Sequence, residues 1–149
     1  MFTNTDQPLE DPTIAALEMK VRMRKKDVTS CVTKITETVR IIQKAATGGS
    51  SSGNNMVVIG YITAGAGHIE KAQNALERLE KQVGKLEYLI EQVGLQFPGK
   101  FKEEVEQKLN KLEEDLQSYR TKVSDIVENS IENFKDETAR SAPASAESS

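Results

Sequence analysis

Apolar residues recur at a seven-residue spacing in two long runs. In the first, Ile14, Val21, Val28, Ile35 and Ile42 keep strict heptad register, with Leu17, Cys31, Val32, Val39 and Ala46 three or four residues on. Positions spaced this way share one face of an α-helix, so the run reads as an amphipathic helix. Asp11-Pro12 marks its start, because Asp accepts from the free N–H groups of a first turn and Pro fits the first helical position. A helix over residues 11–46 is predicted, with Val21, Val28, Ile35, Val39 and Ile42 as its packing positions. Residues 1–10 have no such pattern and are expected to be a disordered leader. The Gly/Ser/Asn run that follows the helix has nothing to bury and reads as a flexible linker over residues 47–56.

The second run pairs two rows. Ile62, Ile69, Leu76, Val83 and Ile90 hold one heptad position, and Ala72, Leu79, Leu86 and Val93 hold the position three residues later, a continuous a/d seam. Helix two is predicted from about Gly67, or from Val57, to Val93. Gly60, Gly65 and Gly67 read as a flexible entry to it, Gly94 as its C-cap, and Pro98 as the stop. A third helix follows, in which Phe101, Val105, Leu109, Leu112, Leu116, Tyr119, Val123 and Ile126 step by four and three. The stripe then shifts slightly through Val127, Ile131 and Phe134. The short turn around Pro98 predicts an antiparallel hairpin over residues 57–136. Residues 137–149 lack apolar payload and are expected to be a disordered tail.

One stripe per helix leaves the hairpin half covered, and helix one supplies the missing partner. The expected fold is all-α: three long amphipathic helices, the hairpin of helices two and three completed by helix one into a coiled-coil-like bundle, or the same elements exchanged between chains. Its interaction seam is expected at Ile69, Leu76, Leu79, Val83, Leu86, Ile90, Leu109, Leu112, Leu116 and Tyr119.

Composition agrees with a helical seam. Of 149 residues, 29% are charged and 5% aromatic, and there is no Trp, a balance that long helices use and ring-rich sandwiches do not. The net charge of −3 gives no global pull toward nucleic acid or anionic membrane. Charge is unevenly spread: residues 1–47 carry 8 Lys/Arg against 6 Asp/Glu, and residues 56–149 carry 12 against 17. The basic excess gathers in Lys20, Arg22, Arg24, Lys25 and Lys26, the acidic excess in Glu103, Glu104 and Glu106 and in Glu113, Glu114 and Asp115. Complementary packing of helix one on the hairpin is the plainer explanation; a basic patch for RNA or anionic lipid is the sharper one, and it lacks interleaved aromatics. Glu77 and Lys81 are spaced for a helical ion pair.

Candidate chemistry is sparse. One Cys and one His argue against a zinc site, a disulfide framework and a Cys/His pair. Cys31 reads as a buried small hydrophobe, and His68 as a first-turn helix residue, since His68-Ile69-Glu70 lacks the Pro-Cys-x-x-Cys half of a deaminase site. No phosphate-loop pattern accompanies the glycines. The expectation is therefore no enzyme, no metal and no cofactor. The apolar stretch Met56–Gly67 is too short to span a bilayer, which takes roughly 20 residues. The N-terminus has neither the basic nor the apolar region of a secretory signal, so a cytoplasmic, intracellular location is expected.

One resemblance goes further. A basic-rich first helix (Val21-Arg22-Met23-Arg24-Lys25-Lys26-Asp27-Val28-Thr29-Ser30-Cys31-Val32-Thr33-Lys34-Ile35), a spacer, a heptad helix (Ala75-Leu76-Glu77-Arg78-Leu79-Glu80-Lys81-Gln82-Val83-Gly84-Lys85-Leu86) and an acidic helix with Phe101-Lys102-Glu103-Glu104-Val105 and Tyr119-Arg120-Thr121-Lys122-Val123 together resemble the N-terminal helical region of Gag-like polyproteins of BEL/Pao-type LTR retrotransposons. The resemblance covers about residues 15–130. It implies helical self-association or docking to another protein. A capsid domain, a zinc knuckle and a protease Asp-Ser/Thr-Gly motif are not found in this sequence, so particle formation and RNA packaging are not implied. The expected function is non-enzymatic assembly by helix–helix association, with a homo-oligomer or a complex subunit as the working form. The alternatives are an adaptor in a larger helical complex, such as a vesicle tether, kinetochore or SNARE-like assembly, and a basic-patch binder of RNA or anionic lipid.

Overall fold

The computed structural model describes residues 7–48 and 52–141. They form an all-α, three-helix bundle: α1 (Pro12–Gly48), α2 (Ser52–Gln96) and α3 (Lys102–Ser141), preceded by a 3-10 turn at Pro8–Glu10. The chain divides into two compact units, one built from residues through Val28 with Asn74–Thr121, the other from Thr29–Gln73 with Lys122 onward.

In the first unit α1 starts as its sequence dictates. Asp11 Oδ1 accepts from Thr13 N at 2.8 Å, Asp11 O accepts from Ala15 N at 3.0 Å, and Pro12 takes the first position, where a missing N–H costs nothing. The expected leader is partly structure, because Asp11 N donates to Pro8 O and the turn buries Pro8 and Leu9. Residues 1–6 lie outside the described residues. Ile14, Val21 and Val28 of α1, Leu79, Val83, Leu86, Ile90 and Val93 of α2, and Val105 and Leu116 of α3 are buried. A Cβ on Gly94 would meet Val105 Cγ1 at 3.6 Å, and Glu80 pairs with Arg120, so α2 and α3 run antiparallel. Two ion pairs between α1 and α3, Glu18–Lys108 and Lys25–Asp115, join residues 90 apart, so those helices run parallel.

The α2–α3 turn corrects one expectation. Gly94 lies inside α2, which continues to Gln96. The glycine with positive φ is Gly99, at +80°, directly after Pro98. Lys100 N donates to Phe97 O at 3.2 Å, so Phe97–Lys100 is a turn with Pro at its second position and Gly at its third. Phe97 and Phe101 close it edge to face, with ring centroids 5.7 Å apart.

In the second unit Ile42, Val58 and Phe134 form a buried cluster, with Val39, Ala45, Ile62 and Ile69 packed against it. Ile35, Ala72, Val123 and Val127 are buried as well. Here α2 begins at Ser52 and α1 extends to Gly48, so the expected linker over residues 47–56 is helical wherever it is described; residues 49–51 lie outside the described residues. Gly60, Gly65 and Gly67 are helical too, and not a flexible entry. Packing overrides propensity at this end: Val58 enters the core, and Gly65 is buried where a Cβ would come within 2.8 Å of Phe134 Cε2 and nearer still to Cζ. α3 likewise continues through Glu137, which is buried, to Ser141, into the stretch expected to be tail. Residues 142–149 lie outside the described residues.

Candidate interaction surfaces

The seam expected to bind partners is largely spent inside the chain. In the first unit Leu79, Val83, Leu86, Ile90 and Leu116 are buried, and Leu76, Leu109, Leu112 and Tyr119 are half-buried at the edges of the same stripe. In the second, Ile69 is half-buried against the Ile42–Val58–Phe134 cluster. The helix-one positions behave alike: Val21, Val28, Ile35 and Ile42 are buried and Val39 half-buried. The continuous buried row of α2 is Val58, Gly65, Ala72, Leu79, Leu86 and Val93, with the row of Ile62, Ile69 and Leu76 only half-buried beside it.

The basic residues of α1 do not form one patch. Successive helix positions step about 100° around the axis, and Lys20, Arg22 and Lys26 are exposed while Arg24 and Lys25 are half-buried. Lys25 Nζ donates to Asp115 Oδ2 at 2.9 Å and lies 5.9 Å from the Tyr119 ring centre. Arg24 pairs with Asp27 at 3.6 Å. The Lys25–Asp115 pair is the basic-to-acidic complementarity expected of helix one, but Lys108–Glu18, at 3.4 Å, runs the opposite way. The expected Glu77–Lys81 pair is present at 3.6 Å. Between the two α1–α3 ion pairs lies a cleft of about 260 Å³, floored by Val21, Leu86, Ile90 and Leu112 and rimmed by Arg22 and Lys111.

Cys31 is half-buried and not enclosed, and His68 sits well inside α2, not in its first turn. Among the described residues no group of three or more His, Cys, Asp or Glu is placed to hold a metal ion, and no helix is long and apolar enough to cross a membrane.

Two features escaped the sequence. One is a carboxyl pair in the first unit. Burial pushes Glu87 up to about 7 from an ordinary 4.5, helped by its hydrogen bond with Glu113 and by the charges of Glu113 and Glu91, while Arg120 pulls it down. Arg120 is itself engaged, its Nε donating to Glu80 Oε2 at 2.8 Å. Acidic residues seven and four apart on helices are too common for this pairing to show in sequence.

The other is an uncharged, apolar outer face on α2 in the second unit. Residues 45–69 contain no Asp, Glu, Lys or Arg. Val58 and Gly65 point inward, and Met56, Val57, Ile59 and Tyr61 remain 78%, 48%, 50% and 38% exposed. Gly60, Thr63, Ala64 and Gly67 are exposed among them. Thr63 Oγ1 donates to Ile59 O at 3.0 Å, which ties its hydroxyl to its own helix. The signal was available as the charge-free run, once that run is read as helix. On the flank toward α3, Ala66, Ile69, Ile131 and Phe134 line a shallow groove together with Lys135 and Thr138. No protein-family model matches the chain, and neither a curated protein nor a solved structure does.

Proposed function

We propose that this protein is a non-enzymatic interaction protein that works by helix–helix association in the cytoplasm. The observation that carries this reading is the apolar pair Val57 and Tyr61, left partly exposed one turn apart on α2, with Met56 and Ile59 exposed farther round the helix. In a chain of which 29% is charged, a helix surface of this kind stays in water only at a cost, and contiguous apolar surface of this kind marks interaction sites. The heptad seams support the reading indirectly. Their residues are buried or half-buried within the chain, which leaves the outer helix faces as the available surface. The Gag-like ancestry, and with it a role in assembly, rests on the sequence resemblance over residues 15–130.

Photo-crosslinking in the native cell, followed by mass spectrometry of the captured chains, tests the proposal. Crosslinks to protein, whether to other copies or to another helical chain, are expected. A chain that captures no protein and is monomeric at every concentration in solution refutes it. The adaptor alternative corresponds to crosslinks with a different chain only. The basic-patch alternative is disfavoured by the spread of the α1 cations around the helix and by the pairing of Lys25 and Arg24 with carboxylates.

A further inference from the structure

We infer that the outer face of α2 between Met56 and Gly67 is a self-association surface, whose occupant is the same face of a second copy of this chain. The inference rests on the proposed function and names its surface and partner.

Three observations select a second copy. The first is charge. In a two-fold contact each residue meets its own kind or a near neighbour, so a face bearing one sign of charge repels itself, and no Asp, Glu, Lys or Arg lies in residues 45–69. The second is shape. The face carries a ring beside a notch: Tyr61 keeps 38% of its surface exposed, and at Gly60 a Cβ would meet nothing within 4 Å. Two antiparallel copies related by an axis between residues 60 and 61 bring Tyr61 of each to Gly60 of the other, and Val57 to Ala64. The third is the surroundings. A helix that lies on an anionic membrane presents Lys and Arg along its polar face, whereas residues 45–69 carry neither, and the cations beside them are Lys71 and, across the groove by Ala66 and Ile69, Lys135 of α3. The face is shorter than a standard interface, which buries about 800 Å² per partner. A weak dimer, formed only as concentration rises, is the expected result.

Sedimentation velocity of the full chain over a concentration series reads this directly. The wild type is expected to move from monomer toward dimer. Tyr61→Glu and Tyr61→Lys, each placing like charges across the axis, are expected to weaken association at least about tenfold, which is what a single repulsive contact supplies. Mixing the two variants is expected to restore it, because opposite charges then meet. Circular dichroism of each variant checks that helix content is kept, and Val57→Glu gives an independent second substitution on the same face. A wild type that stays monomeric to its solubility limit overturns the inference, as do variants that dimerise like the wild type. A monomer that binds neutral phospholipid vesicles through Tyr61 overturns it in favour of a membrane surface. If the chain is monomeric yet crosslinks to a different protein in the cell, the second copy is refuted and the broader reading stands.

Discussion

Replacing Gly65 by alanine adds one methyl group to the middle of a helix, where the change ordinarily stabilises by about 1 kcal/mol. At this position the sign reverses. The new Cβ would sit within 2.8 Å of Phe134 Cε2 and closer to Cζ. A ring edge can swing aside when it is free, but Phe134 is buried with Ile42 and Val58, and Ile62 and Ile69 pack on the same cluster. Room for the methyl comes only from shifting that cluster or prising α3 from α2, and overpacking of this kind costs about 1–3 kcal/mol. Net of the helix gain, Gly65→Ala is expected to destabilise by up to about 2 kcal/mol. At about 2–4 °C per kcal/mol for a chain of this size, the melting temperature falls by several degrees. Gly84→Ala is the matched control: Gly84 is also helical, and a Cβ there meets nothing within 4 Å, so it is expected to stabilise by up to about 1 kcal/mol. Urea unfolding followed by circular dichroism compares the two, and hydrogen exchange locates the effect, expected near residues 58–69 and 127–138. Shrinking the ring with Phe134→Leu should recover part of the loss in the Gly65→Ala background while destabilising the wild type, a coupling that only direct contact produces. If Gly65→Ala is as stable as Gly84→Ala, the tight fit of α2 on Phe134 is wrong.

Glu87→Gln tests the carboxyl pair. Because the folded-state pKa of Glu87 is raised, to about 7, its contribution to stability is full below about 4.5 and is lost as pH rises through about 7. The variant is expected to match the wild type at pH 4 and exceed it at pH 8 by on the order of 1 kcal/mol, the shift being discounted for solvent screening of a half-exposed group. Equal stability of the two proteins at pH 8 refutes the raised pKa of Glu87. Leu86→Asp places a carboxylate at a fully buried seam position, at a cost of several kcal/mol; the expected outcome is loss of the cooperative thermal transition, and a folded, merely monomeric variant would show that the seam is an intermolecular surface. Asp11→Ala removes the acceptor for Thr13 N and is expected to cost about 1 kcal/mol, with hydrogen exchange rising first in the opening turns of α1.

How far the sequence leads depends on which force decides each element. Helix one was legible because pattern, cap and packing agree: all five residues of its heptad row, Ile14 to Ile42, are buried, and Asp11 caps it. The hairpin was legible for the same reason. The start of α2 was not, because local propensity and tertiary packing conflict there. Glycine at 60, 65 and 67, behind a Gly/Ser/Asn run, argues for a loop by propensity. The core places Val58 beside Ile42 and needs a position without a side chain opposite Phe134. Gly94 misled in the opposite way: it resembles a C-cap, yet the conformation that needs glycine falls at Gly99, after Pro98. The exposed face of α2 was not read from the sequence, because the seams, whose residues are buried or half-buried, stood out instead. A narrow a/d stripe reads as surface in search of a partner, and in this chain each helix finds its partners in the other two.

With the seams occupied, the glycines separate the remaining helix surface into places that packing explains and places it does not. Gly65 is required by the ring of Phe134. Gly60, Gly67 and Gly84 have no neighbour that a methyl group would strike, and each forgoes about 1 kcal/mol of helix stability relative to alanine. An open glycine alone is no sign of a site, and Gly84 shows why: it stands between Lys81 and Lys85, whose charged heads keep that surface compatible with water. Gly60 and Gly67 differ because no charged residue lies between Lys44 and Glu70, and Met56, Val57 and Tyr61 surround the open positions with exposed apolar surface. The same segment thus gives up helix propensity and water compatibility together, and nothing among the described residues recovers either. An opposing helix recovers both, since it covers the apolar side chains and uses the missing side chains as room for close approach. The intramolecular notch at Gly65, filled by Phe134, shows how a ring occupies such room in this fold; the proposed contact of Tyr61 with Gly60 of a second copy would repeat it on the outer face.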